Sequence, residues 1–299
     1  MGGQLGAPHV VTARERAARR RAWLLTAPAL SVLAVLTLYP GLWVLWLSLR
    51  DEVPIFGISR FAGVSHFAFL ATDSRFLSAA RTTALFTVFS VALEVVLGLA
   101  VALALARQRR ARRLAFSLLL LAWAMPAVVT AKIFEWLYHP AAGLVNHVLG
   151  TSLNWLGDPH LALPAVVLAD VWRTVPFVAV LAYARLLGIP RELYEAAQVD
   201  GAGTLATFAR ITLPLLSRVL LIAVLFRTLD ALRAFDIMFV LTGGGPANTT
   251  ETLTVYAYRA LFQMLQFGFG SAIGVVVFAL VTAVAWVYLR LLPSEETTT

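Results

Sequence analysis

The sequence predicts an all-α, polytopic membrane protein, and three observations carry that prediction. Hydrophobic residues make up 60% of the 299 and charged ones only 13%, for a mean hydropathy of +0.81. A soluble chain of this length needs far more charge to cover its surface. Residues 22–49 and 260–289 contain no charged side chain, and each run exceeds the roughly 20 residues that cross a bilayer as a helix. Finally, the arginines cluster in short runs beside apolar stretches. There they read as topology signals, and the net charge of +8 does not indicate a nucleic-acid surface.

Six spans follow in order: 23–49, 82–106, 114–138, 161–187, 213–240 and 268–291. Charges within the second, fourth and fifth leave them less sharply marked than the first and last. Arg14, Arg16, Arg19, Arg20 and Arg21 precede the first span, in a tail (1–22) without the apolar core and cleavage site of a signal peptide. Arg107, Arg109, Arg110, Arg112 and Arg113 separate the second span from the third. The loop at 139–160 has no Lys or Arg, and that at 241–267 has only Arg259. The bias places both termini in the cytoplasm. Segment 50–80 is then external, and its RFAGVSHFAFL is expected to break at Gly63 and end in a short interfacial helix. The organisation is a tail (1–22), a six-helix transmembrane domain (23–292) and a polar tail (293–299), with no tandem repeat and no second soluble domain.

Between spans four and five lies ELYEAAQVDGAGTLATFARITLPLL (192–216), on the cytoplasmic side in this topology. Gly188 and Pro190 end one helix and open another. Glu192 and Glu195 favour the positive end of its dipole, and Asp200-Gly201 suits a tight turn. A second short helix through Phe208–Arg210 is expected before Pro214 opens span five. The stretch thus reads as a helix–turn–helix offering Tyr194, Ala196, Ala197, Val199 and Leu205 as apolar contacts. On these grounds alone it is either an amphipathic loop lying on the membrane or a docking element.

Several chemistries are excluded or unsupported. Cysteine is absent, which removes disulfides, thiolate metal sites and thiol nucleophiles. No phosphate-binding G-x-x-x-x-G-K-[ST] occurs, and LTGGGP (241–246) lacks the lysine; its glycines suggest a flexible external loop. His9, His66, His139, His147 and His160 do not pair at metal-ligand spacing, so an intramembrane metalloenzyme is disfavoured and no metal site is expected. Nothing resembles the selectivity filter of a channel.

Glu195-Ala196-Ala197, then Gly201 after three residues and Ile211-Thr212-Leu213-Pro214 after nine more, resembles the EAA loop of binding-protein-dependent ABC importer permeases. LLLAWAMPAVV (119–129), DVWRTVPF (170–177) and LFRTLDALRAFDIMFVLTGGGP (225–246) are similar to the sugar branch of that family, in particular its trehalose- and maltose-type members. The resemblance implies a type I importer permease fold, and the six spans match the compact trehalose or glycerol-phosphate type. It implies a multi-pass protein of the bacterial cytoplasmic membrane that carries a sugar such as trehalose or maltose, glycerol phosphate being the alternative cargo. It implies no ATPase site and no cofactor in this chain, ATP and Mg being held by two partner ATPase subunits. A second related permease and an extracytoplasmic solute-binding protein complete the assembly. Glu195, Ala196, Ala197, Asp200 and Gly201 would couple to the ATPase.

Ionisable residues inside a span are expensive and are expected to face protein or water. Asp170 and Arg173, and Arg227, Asp230, Arg233 and Asp236, recur at intervals of three, where neighbours on a helix can pair. Arg233–Asp236 is expected to be structural. The candidate substrate site is Trp123, Asp170, Arg173, Thr174, Phe177, Arg227, Asp230, Ala231 and Ala234; the resemblance places all but Asp170 and Asp230 at substrate-contacting positions. Residues 227, 231 and 234 share one helical face, and a flat aromatic with convergent polar groups suits a sugar. Trp123 as plain core packing fits equally well. Glu94, Lys132 and Glu135 are expected to pair between helices, and Gly270 and Gly274 to permit close helix approach. Away from the cytoplasmic ends of the spans, four cations (Lys132, Arg173, Arg227, Arg233) against five anions (Glu94, Glu135, Asp170, Asp230, Asp236) favour a neutral polyhydroxylated solute over an anionic one.

Overall fold

The computed structural model describes residues 13–108 and 112–291; residues 109–111 and the tails at 1–12 and 292–299, His9, Arg109 and Arg110 included, lie outside them. The chain opens with α1 (Ala13–Leu33) and α2 (Tyr39–Ser48), then strands β1 (Arg50–Val53) and β2 (Ile58–Phe61) and a short α3 (Ser65–Leu70). The bundle itself comprises α4 (Ser74–Arg107), α5 (Arg112–Ala124), α6 (Ala127–Leu137), α7 (Leu144–Leu149) and α8 (Ala162–Leu187). Next come α9 (Arg191–Val199), α10 (Thr204–Thr207), α11 (Leu213–Ala231), α12 (Asp236–Thr242), α13 (Leu253–Tyr258) and α14 (Phe267–Leu291). Five runs among the described residues are long and apolar enough to cross a membrane, and a sixth exists if α5 and α6 count as one broken span.

Three expected elements differ, each for a backbone reason. The span at 114–138 is bent by 100° between α5 and α6; Pro126 caps α6 in an extended conformation, and proline cannot donate to the preceding turn. The span at 213–240 stops at Ala231, and just beyond the stop the Ala234 carbonyl accepts from the hydroxyls of Thr252 (3.2 Å) and Thr254 (2.7 Å). The chain turns there and restarts as α12. Segment 50–80 forms the antiparallel β1–β2 hairpin, pairing Arg50 with Phe61, before the expected short helix α3. That hairpin is the one departure from an all-helical chain among the described residues.

Two prolines are absorbed by one device. Pro40 and Pro214 sit in the first turns of α2 and α11, and each follows a π-helical turn, Ala34–Leu38 and Phe208–Thr212. A proline ring collides with the carbonyl four residues back, and a π turn widens the helix at that point. The run from Thr204 to Ala231 therefore continues through Pro214 as one 28-residue span, where a break had been expected.

The core is organised around α4 and α8. Phe86 and Val91 on α4 pack with Val166, Ala169, Val171 and Val175 on α8, and with Ile237 and Met238 on α12. Nearer the other end, Ala102 and Leu105 meet Val178, Ala182, Leu216 and Ala223. Gly98 makes the α4–α8 approach possible, since a β-carbon there would lie 2.7 Å from Val178 Cβ and 3.2 Å from the Ala179 nitrogen. Of the pair on α14, Gly270 lies tightly against Leu261, whereas a β-carbon on Gly274 would only touch Val44 at 4.0 Å. Close approach is thus a property of Gly270. The first span has no buried residue in its apolar stretch and reaches the bundle through α2 on α14.

Gly98→Val should cost about 1–3 kcal/mol through overpacking, whereas Gly41→Ala, with open space around it, should leave stability unchanged or slightly higher. Thermal melts of the detergent-solubilised protein read the difference; equal melting temperatures would show that the α4–α8 contact is looser than described.

Candidate functional site

Arg227 of α11 is 5% exposed and lies at the centre of the bundle. Its Nε donates to Glu94 Oε2 at 2.6 Å and its Nη2 to Glu94 Oε1 at 2.9 Å, a two-point pair across 133 positions of sequence. Nη2 also reaches Asp170 Oδ2 (3.1 Å), and Nη1 reaches Asp230 Oδ2 (2.5 Å). A guanidinium has five N–H donors, and these bonds engage four. Glu94 is fully buried; Thr174 Oγ1 lies 2.7 Å from both Glu94 Oε1 and the Asp170 carbonyl, and its single proton serves one at a time. Arg173 Nη2 completes the set by donating to Asp170 Oδ1 at 2.9 Å. Removing two charges from water is costly unless they are paired and fully hydrogen-bonded, and here α4, α8 and α11 each contribute.

This network forms one wall of a cleft of about 200 Å³ lined by Ala127, Asp170, Arg173, Arg227, Asp230 and Ala231, with residues 233–237 beside them. Of the nine candidate substrate positions, six therefore converge. Ala234 lies beyond the end of α11 yet stays at the cleft, because the chain turns there. Thr174 is buried against Glu94 instead. Trp123 and Phe177 stand apart as an aromatic pair with centroids 6.0 Å apart, Trp123 remaining half exposed, and neither lines this cleft.

The expected Arg233–Asp236 pair does not form. Arg233 lies 3.8 Å from Asp230 and donates to the Leu229 carbonyl, while Asp236 occupies the first turn of α12, at the positive end of that dipole. The helix break between them is the cause. Lys132 and Glu135 pair with each other along α6, at 2.5 Å and largely exposed, not between helices. Glu94 does bridge helices, and it is the residue that the candidate list missed. Its signal was a polar stripe on α4: Thr83, Thr87, Ser90 and Glu94, spaced by four, three and four, all buried.

A second polar cluster fixes the end near the hairpin. Glu251, 1% exposed, accepts two bonds from Arg75 (2.8 Å each) and one from Arg259 (2.5 Å). Tyr256 donates to Asp73 Oδ2 at 2.7 Å, and Asp73 caps α4 by accepting from the Arg75 and Phe76 amides. Burial first, and the bond to Asp73 second, push the Tyr256 phenol above its usual range. Arg259 also donates to the Gly243 carbonyl, and Thr250 to that of Gly245. The glycine loop is thus held in place; Gly243 (φ 61°) and Gly244 (φ 89°) supply a left-handed backbone, not flexibility.

At the opposite end, α9 closes on Gly201 (φ 72°), whose amide bonds the Gln198 carbonyl while that of Ala202 bonds Ala197. This is the left-handed helix cap that glycine serves without strain. Glu195, Ala196 and Asp200 are exposed, as are Val199 (88%) and Leu205 (78%). Tyr194 and Ala197 are not presented outward: helical spacing turns them toward the bundle, and Tyr194 hydroxyl lies 3.3 Å from Thr212 Oγ1.

Arg227→Ala should cost about 3–5 kcal/mol, since it strands Glu94 and Asp170 as buried charges. Arg233→Ala removes an exposed pair and should cost less than about 1 kcal/mol. Thermal melts of the two variants check this, and similar losses would mean that Glu94 does not hold its charge in the interior.

The model of the binding-protein-dependent transport system inner membrane component family matches residues 94–295. The trehalose/maltose transport system permease protein MalF of Thermococcus litoralis is 39% identical over 272 residues, 90% of this chain and 92% of that one. The sulfoquinovosyl glycerol transport system permease protein SmoG of Agrobacterium fabrum is 37% identical over 294 residues, 93% and 92%. Among solved structures, a chain of a bacterial ABC transporter involved in the import of the acidic polysaccharide alginate superposes with a TM-score of 0.80 at 21% identity. It covers 96% of this chain and 100% of its own. With matched residues that take in the buried network, the glycine-capped loop and all the later spans, the chain belongs to the family of binding-protein-dependent inner membrane components, the permease subunits of ABC importers.

Proposed function

We propose that this permease forms half of the translocation pathway of an ATP-driven sugar importer whose cargo is a neutral disaccharide of the trehalose or maltose kind. One observation carries the choice of a neutral cargo: the cleft is lined by three cations (Arg173, Arg227, Arg233) and three anions (Asp170, Asp230, Asp236), and its buried guanidinium is already committed to carboxylates. No excess positive charge is left to hold an acidic solute. Asp230 and Arg173, at the rim of the network, remain able to accept from and donate to sugar hydroxyls. The names of the relatives support a glycan or glycoside cargo.

In this reading a second related permease supplies the other wall, and an external solute-binding protein delivers the sugar. Two ATPase subunits, holding ATP and Mg, engage the loops at 189–214 from the cytoplasm, with Glu195, Ala196, Asp200, Val199 and Leu205 on the contact face. The mechanical link is the uninterrupted run from Thr204 to Ala231. At about 1.5 Å per residue it spans roughly 40 Å, with the loop at one end and Arg227 near the other. A displacement of the loop is delivered to the cleft along one rod, which suits rigid-body alternating access.

Uptake of a radiolabelled sugar panel by the reconstituted importer tests the reading. Trehalose or maltose should be transported in preference to glycerol phosphate, and Arg173→Ala should lower uptake at least tenfold while assembly survives. Preferred transport of the phosphate ester would overturn the neutral-cargo assignment. Gly201→Asp puts a side chain where φ is positive, and Glu195→Ala trims the contact face. Each should cut sugar-stimulated ATP hydrolysis or release the ATPase, and normal coupling in both would remove the role assigned to the loop.

A further inference from the structure

A cleft of about 720 Å³ lies between the inner side of the α9–α10 turn and the ends of α4 and α8. Among the described residues its charged lining residues are Arg107 and Arg191, and none of these lining residues is a carboxylate. Glu192, Glu195 and Asp200 lie on the same loop but are exposed and stand outside that wall. Gln198, Thr204 and Thr207 add neutral polar groups, and Leu103, Leu186, Ile189 and Phe208 form an apolar side. Arg107 ends the second span and Arg191 begins the helix after the fourth, so the two cations sit where helices leave the hydrocarbon layer.

We propose that this cleft is a binding site for an anionic phospholipid, its phosphate held by Arg107 and Arg191 and its acyl chain lying along the apolar side. The inference is independent of the cargo. Two guanidinium forks match phosphate geometry, and basic pockets between spans at the membrane boundary are suited to acidic headgroups. The apolar wall separates a lipid from a free phosphate or other soluble anion, which would make no use of it. A lipid here touches both the loop that meets the ATPase and the last turn of α4, so its occupancy would stiffen the loop against the bundle.

The test uses the intact importer in nanodiscs of phosphatidylcholine mixed with phosphatidylglycerol, with retained lipids counted by native mass spectrometry after release. The wild-type complex should keep phosphatidylglycerol in preference to phosphatidylcholine. Arg107→Ala with Arg191→Ala should weaken that retention roughly thirtyfold, from the loss of two basic contacts, while Arg60→Ala, at the hairpin end, should leave it intact. Arg107→Lys with Arg191→Lys should restore part of it, which separates lost charge from misfolding. Undiminished phosphatidylglycerol in the double alanine variant would overturn the proposal. Displacement of the lipid by excess inorganic phosphate would also overturn it, assigning the cleft to a soluble anion.

Discussion

The interior of this permease depends on one guanidinium. Arg227 is buried among apolar helices, and it is tolerable there only because Glu94 meets it with two oxygens while Asp170 and Asp230 take its remaining reach. The demand is reciprocal, since Glu94 on α4 is equally buried and has Thr174 and Arg227 as its partners. In a medium that cannot solvate either charge, three helices are tied to one geometry. The packing of α4 on α8 at Gly98, and the turn that ends α11 just beyond the network, are consistent with that constraint. The same bonds shape the cleft: they withdraw the central cation from solvent and leave the rim groups Arg173 and Asp230 facing it.

The two ends of the bundle are built differently. Near the hairpin, Glu251 draws Arg75 and Arg259 together and anchors the chain from Gly243 to Tyr256 against the start of α4. The apolar residues there, such as Leu253 and Val255, are inside. At the other end, the loop is compact but leaves Val199 and Leu205 exposed among the described residues. A loop closed by a left-handed glycine and continuous with a span through a π turn can be stiff and still exposed. Stiffness with exposure suits the coupling contact proposed for this loop.

Much of this was legible in the sequence where the physics is local. Spans follow from run length, and the pairs Asp170–Arg173 and Arg227–Asp230 follow from helical spacing. The turn at Asp200-Gly201 follows from the backbone freedom of glycine. Local reasoning failed where a distant group changed the outcome. Arg233 and Asp236 share the spacing of the other pairs, but the helix ends at Ala231 and the chain turns between them, where Thr252 and Thr254 hold the Ala234 carbonyl. Tyr194 and Ala197 are apolar loop residues like Val199, yet the side they occupy was set by what α9 packs against.

The sequence by itself determined that the chain enters the membrane as helices, how many apolar segments it has, and which loop carries the glycine-capped turn, because hydrocarbon solvation and backbone sterics act on each segment separately. Tertiary structure alone decided that Arg227 is a locked core cation facing Glu94 and that Trp123 pairs with Phe177 away from the cleft. Those outcomes depend on which charges and side chains meet across distant helices, and a buried charge accepts only the partner that packing delivers to it.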